Sequence, residues 1–329
     1  MKTQTFSMVE MSISAGDRAD AVRPNGVWLD DFCAFAETQG CAASSIKAYR
    51  QDLRAFGEWF ERVNGQPFEP GLITGVDLRA YRTAALDSGI SAATWNRRRA
   101  TLRKLCDFAL KMSHVTYDPF QGVEVKPQEE QPPRWLTEAE FHRLARQIEQ
   151  NVNAAKTEHW MWQAVRDQAI VALMLYAGLR EAEVCDLDVG DVQIGERKGR
   201  LIVRNGKGGK ARRLPLNNEA RRGLKLWLEV REQPGRSPIA PTEALFVGKM
   251  GERIGVRLVQ KRVAALRQAC KLDEDVTPHA LRHTFAKRLL DSGAPLTVVS
   301  KLLGHSRLET TKRYVQPGWE DFEKAVERL

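Results

Sequence analysis

A chain of 329 residues, 43% hydrophobic and 28% charged, has the length for two domains with separate cores and the composition of an ordinary globular protein. The 51 Lys and Arg against 42 Asp and Glu leave a formal charge of +9, which favours an anionic partner, nucleic acid being the commonest. Five scattered cysteines (Cys33, Cys41, Cys106, Cys185, Cys270) offer no CxxC pair or metal-like spacing, and neither a signal core nor a membrane-length apolar run is present, so a disulfide scaffold, a zinc module and a membrane protein are set aside in favour of an intracellular chain with reduced thiols.

Residues 1–25 are polar and aperiodic and read as a flexible tail. From Val27 to about Lys111 the apolar spacing is helical. Val27, Trp28, Leu29, Phe32 and Phe35 form one face. A second helix, capped by Ser44 or Ser45, carries Ile46, Tyr49, Leu53, Phe56 and Phe60, with Lys47, Arg50 and Arg54 on its opposite face. A third helix is predicted over Asp77 to Leu86. Ser91 opens a fourth, in which Trp95, Leu102, Cys106 and Phe108 stand beside Arg97, Arg98, Arg99, Arg103 and Lys104. Arginines at 97–99 are not interleaved with acids in the sequence, and cations recur on two helices of one small bundle. Contact with a phosphate backbone is the better reading of these residues than a merely solvated face.

Residues 119–134, rich in proline and acids, read as a link between domains 26–118 and 135–329. The second domain opens on a capping box, Thr137 with Glu140, and a hydrophobic staple, Leu136 with Phe141. A helix from about Val165 to Ala177 stops at Gly178, while His159 to Trp162 are hard to place. Residues 200–204 and 211–216 bracket the glycine-rich Asn205 to Lys210 as a β-hairpin. Because Lys207 is followed by glycine and the turn leads into a strand, a nucleotide-binding P-loop is rejected. Helices then return at about Asn218 to Glu232, at Arg257 to Lys271, and after Thr277-Pro278, which puts His279 and Arg282 on one helical face. Leu296 to Leu303 form a helix ended by Gly304. A capping box of Ser306 and Glu309 starts a short helix that carries Tyr314 two turns on.

Gly178-Leu179-Arg180-Glu181-Ala182-Glu183-Val184, Lys207 on the hairpin, His279-Ala280-Leu281-Arg282-His283, Leu303-Gly304-His305 and Tyr314 occur in that order. With these residues the chain resembles the tyrosine recombinase (phage integrase) family, especially its simple two-domain Xer-like members, over nearly all of its length from about residue 27. The resemblance implies a mainly α fold with a small β-hairpin or sheet. An N-terminal SAM-like core-binding domain would be followed by a C-terminal tyrosine-recombinase catalytic domain.

The chemistry is consistent with the residue types. Two guanidiniums meet the non-bridging oxygens of a phosphodiester with forked hydrogen bonds, and Arg180 and Arg282 are assigned to that clamp. An ion pair with Glu183 explains Arg180 equally well, and the resemblance implies both, Glu183 orienting the site. Tyr314 is the candidate nucleophile, with His279 as the acceptor of its proton. The resemblance makes Lys207 the general acid for the leaving 5′ hydroxyl, with Lys210 beside it as the competing, DNA-contacting lysine. His305 is expected to bond the scissile phosphate, and His283 to support. No cofactor and no metal are expected.

Further implications concern assembly. Double-stranded DNA is the expected partner, with four protomers, of one chain or with a paired homologue, resolving a Holliday junction in the cytoplasm at the nucleoid. Trp319, Phe322, Ala325, Val326 and Leu329 fall close to one face of a predicted helix within 317–329, the segment that relatives dock on a neighbouring protomer. The stretch before the first helix is too short for the separate arm-binding domain of larger phage integrases. Two alternatives remain at this stage: a type IB topoisomerase, and a basic DNA-binding regulator that leaves Tyr314 and Lys207 without a task.

Overall fold

The computed structural model describes residues 27–121, 123, 133–204, 211–231, 242–305, 308–312, 314 and 327. The chain divides into two compact units, Met1–Glu130 and Gln131–Leu329. Among the described residues no helix is long and apolar enough to cross a membrane.

In the first unit, α1 (Val27–Thr38), α2 (Ala43–Asn64), α3 (Gly75–Asp87) and α4 (Ala92–Lys111) enclose an aromatic core of Phe32, Phe56, Trp95 and Phe108, each at most 1% exposed. Edge-to-face ring contacts, Phe32 on Phe108 and Phe56 on Tyr81, join the helices. Two starts differ from expectation. α2 begins after Ala42 without a side-chain cap, so Ser44 and Ser45 lie in its first turn. α3 begins at Gly75, because Thr74 and Asp77 form the capping box and Asp77 is its third residue, not its first.

The second unit opens as the sequence indicates. Thr137 and Glu140 form the capping box of α5 (Glu138–Asn153). α6 (Glu158–Ala177) is longer than predicted: Thr157 caps it, which draws His159 to Trp162 into its first turns. Its second half, from Ala169 to Ala177, is apolar, and α5, α8 (Asn218–Arg231) and α10 (Pro278–Asp291) all pack on the helix. Gly178 in the left-handed region ends it, and the short α7 (Glu181–Asp186), not anticipated, follows at once.

The expected hairpin is part of a three-stranded antiparallel sheet. β1 (Val192–Ile194) pairs with β2 (Gly199–Val203), and β2 with β3 (Arg212–Leu216), with Val203 opposite Arg212. The hairpin tip, 205–210, lies outside the described residues. α9 (Val256–Ala269), α11 (Leu296–Leu303) and α12 (Glu309–Lys312) complete the unit. α12 ends after one turn and Tyr314 follows it, in place of the two-turn helix predicted. Ser306 and the segment 317–329, apart from Glu327, lie outside the described residues.

Candidate active site

Two helix-ending glycines prepare the site. Gly178 and Gly304 both take the left-handed conformation, with φ of 66° and 65°. A side chain at Gly178 would lie 2.4 Å from the Phe285 ring, so the turn also depends on having no Cβ. Gly178 and Leu303 turn their carbonyls inward, and Arg282 donates to both, Nη1 to Gly178 O and Nη2 to Leu303 O, each at 2.5 Å. The expected face on α10 thus carries Arg282 into the interior, 3% exposed, while His279, in the first turn, stays exposed.

Glu183 stands at the centre. Its Oε2 accepts the Arg180 backbone N–H at 2.9 Å, capping α7, and its Oε1 accepts from Arg180 Nη1 at 2.8 Å. Arg212 reaches both oxygens, Nη1 to Oε1 at 2.9 Å and Nη2 to Oε2 at 2.8 Å, and donates from Nε to Leu302 O at 3.0 Å. Arg282 Nη1 lies 3.6 Å from Glu183 Oε2. Burial alone would raise the Glu183 carboxyl, but the Arg212 bonds and the Arg180 N–H outweigh it and hold the group at about 2. Burial, with the Arg180 charge beside it, pushes Arg282 down to about 9. The structural ion pair weighed for Arg180 is therefore present, and its side chain remains 26% exposed where that of Arg282 is 3% exposed.

Arg212 was missed by sequence reasoning. The available signal was strand periodicity: Arg212, Leu214 and Leu216 share the inward face of β3, and an arginine in such a series calls for a buried anion.

His305, after Gly304, sets Nε2 at 3.3 Å from Arg282 Nη2 and Nδ1 at 2.9 Å from Thr311 Oγ1. Burial, then the charges of Arg282 and Arg180, lower it to about 4, so it is neutral near pH 7. Tyr314 is 3% exposed and packs with Ala286, Val299 and Leu303. Its hydroxyl lies 2.6 Å from His283 Nδ1. The phenol thus meets His283, one turn beyond the His279 expected to take its proton. His279 stacks on His283 one turn away, with ring centroids 6.3 Å apart. Arg282 lies close enough to feel a Tyr314 phenolate charge. Arg180, Glu183, Arg282, His283, His305 and Tyr314 are thereby gathered in one cluster. Lys207 and Lys210 fall outside the described residues.

The cationic helices of the first unit are more internally neutralised than their sequence suggests. Arg97 bonds the buried Asp52 at 2.6 Å, Arg98 the Tyr81 hydroxyl at 3.0 Å, and Arg99 the Val123 carbonyl at 3.0 Å. Arg103 pairs with Asp118 at 2.8 Å and Arg50 with Asp30 at 2.7 Å. The acids missing from the local sequence come from elsewhere in the unit. Lys47 and Arg54 are exposed on α2, and Lys104 is half-buried on α4.

The profile described as "Phage integrase family" matches residues 134–319, and that described as "Phage integrase, N-terminal SAM-like domain" matches residues 29–112. A relative named "Tyrosine recombinase XerC" from Corynebacterium glutamicum is 33% identical over 297 residues, 90% of this chain and 89% of its own. Another of that name from Vibrio vulnificus is 34% identical over 289 residues, 87% of this chain and 85% of its own. Among solved structures, XerH site-specific recombinase bound to difH substrate (pre-cleavage complex) matches with a TM-score of 0.70 at 22% identity, over 91% of this chain and 83% of that one. A lambda integrase (75-356) dimer bound to a COC′ core site matches at 0.64 and 19%, over 87% and 93%. At those identities the structures speak to the fold.

Proposed function

From the premise that this chain belongs to the phage integrase family and is a tyrosine-type site-specific DNA recombinase, we propose that Tyr314 is its nucleophile and that the cluster around Glu183 is its phosphate site. The observation that carries this assignment is that Arg180 and Arg282 meet at the buried Glu183 carboxylate, with His305 against Arg282 and the Tyr314 hydroxyl against the adjacent His283.

In this reading the phenol oxygen attacks the phosphorus, the bond to the 5′ oxygen breaks, and a 3′-phosphotyrosine forms. Arg180, the more open of the two guanidiniums, and Arg282 balance the charge that builds on the non-bridging oxygens. Arg282 has five N–H donors, so its carbonyl bonds leave capacity for phosphate. The phenol proton passes to His283, the group already in hydrogen-bond reach. His279, exposed on the next turn, faces the DNA. Lys207 protonates the leaving oxygen, with Lys210 on the adjoining backbone. Because the ester keeps the bond energy, rejoining needs neither ATP nor metal. Attack requires Tyr314 to leave its apolar seat, so the conformation described here precedes engagement with the phosphate.

Residues 26–118 serve as the core-binding domain and 135–329 as the catalytic domain. Lys47, Arg50, Arg54, Arg97, Arg98, Arg99, Arg103 and Lys104 are the candidate phosphate contacts of the first. Four protomers exchange strands through a Holliday junction, each passing its 317–329 segment to a neighbour, in the cytoplasm at the nucleoid. A suicide substrate carrying the core site tests the assignment. A covalent adduct that depends on Tyr314, followed by strand exchange, is expected. Absence of an adduct would leave a regulator, and an adduct with relaxation but no exchange would leave a topoisomerase.

A further inference from the structure

A carboxylate offers about four lone-pair sites, two on each oxygen. At Glu183 the donors match that capacity. Oε1 takes Arg180 Nη1 at 2.8 Å and Arg212 Nη1 at 2.9 Å, while Oε2 takes the Arg180 backbone N–H at 2.9 Å and Arg212 Nη2 at 2.8 Å. Arg212 therefore fills one site on each oxygen. Two further contacts fix its place: Nε donates to Leu302 O at 3.0 Å, and a Cβ added at Gly304 would fall 3.0 Å from Nη1. With its side chain 12% exposed, Arg212 has little access to a phosphate of its own.

The two clamp arginines are thereby only partly engaged by the carboxylate. The Arg180 side chain bonds through Nη1 alone, to Glu183 and, at 3.5 Å, to Leu303 O. Among the described residues its Nε and Nη2 have no partner, so that forked edge stays open on a side chain 26% exposed. Arg282 Nη1 stops 3.6 Å from Oε2, beyond a hydrogen bond. Without Arg212 a site would open on each oxygen, within reach of both arginines. A second bond from Arg180, through Nη2, would close a fork–fork pair and take half of the edge that a phosphate needs.

We propose that Arg212 is a positioning residue for cleavage: by filling Glu183 it keeps the Nε–Nη2 edge of Arg180 and the remaining donors of Arg282 for the scissile phosphate. This task rests on the phosphate roles given above to Arg180 and Arg282.

The test compares single-turnover cleavage of two suicide substrates by the full chain, one with a scissile phosphodiester and one with a methylphosphonate at that position. In both, the phenol oxygen displaces the 5′ oxygen, but the methyl group removes one non-bridging oxygen and its charge, so the second substrate depends less on the clamp. The ratio of the two rates is insensitive to how much of a variant is folded. Arg212→Ala should slow the phosphodiester on the order of a hundredfold, the scale of one lost oxyanion donor, and the methylphosphonate by only about threefold. Arg180→Ala should show the same selectivity. Arg212→Lys, which keeps the charge but not the fork, should fall between wild type and alanine, and its ratio decides the matter should the alanine variant not fold. Equal losses on the two substrates would overturn the proposal, as would a lysine variant as fast as wild type. A wild-type chain that forms no adduct would overturn the recombinase reading as well, so the two failures are distinguishable.

Discussion

Arg212 grips both carboxylate oxygens of Glu183, at 2.9 and 2.8 Å, although 29 residues separate them in the chain. The forked geometry uses the planar guanidinium fully, and lysine cannot reproduce it. It also ties the sheet to α7, the helix that carries Glu183 and follows Arg180.

Truncating Arg212 would leave the Glu183 charge buried with fewer partners. Arg212→Ala should lower unfolding stability by about 3 kcal/mol, and Arg212→Lys by less, read from urea denaturation. An unchanged midpoint in the alanine variant would mean that Arg180 and Arg282 alone suffice to hold the carboxylate.

Acid should weaken the fold in two windows. His305 ordinarily titrates at 6.5 but sits at about 4 when folded, so the unfolded chain takes up protons first and stability falls as pH drops from 6.5 to 4. Glu183, ordinarily 4.5 and about 2 when folded, removes stability as pH falls from 4.5 to 2. Stability–pH curves of His305→Gln and Glu183→Gln should each lose slope in their own window alone.

Gly178→Ala introduces a Cβ at positive φ and 2.4 Å from Phe285. The strain and the overlap together should destabilise by ~2 to 4 kcal/mol. In a Phe285→Leu background the loss should shrink to the backbone part, which a double-mutant cycle measures.

Tyr314→Phe should abolish the covalent adduct and retain DNA binding with its steep salt dependence. The two quantities are read from denaturing gels and from binding isotherms at several ionic strengths. Loss of both together would assign Tyr314 a structural task only.

The arginines of the first unit should divide by partner. Arg97→Ala breaks the pair with buried Asp52 and should reduce stability more than it changes the salt slope of DNA binding. Lys47→Ala and Arg54→Ala, on exposed positions, should do the reverse, each lowering the slope by about one unit. A uniform effect of all three would remove the distinction drawn here.

Much of the fold was legible because its signals are local. Thr137 with Glu140, Ser91, Thr277 before Pro278, and Gly178 and Gly304 each mark a helix end through bonds made within a few residues. The start of α6 was missed because its first turns mix Glu158, His159 and Gln163 with the exposed Trp160 and the buried Trp162, so no apolar period announces it. β1, three residues long, is stable only as the neighbour of β2, and no pattern of its own announces it.

The sequence by itself determined the family, the order of the site residues and the helix that bears His279 and Arg282, since motif spacing and capping chemistry are properties of nearby residues. The tertiary structure decided the partners. It joined Arg212 to Glu183, gave Tyr314 to His283, placed Thr311 against His305, and neutralised Arg97 with Asp52. Those choices are made by burial: once a charge or hydroxyl leaves water it must find its counterpart among groups brought close by folding, however far away they lie along the chain.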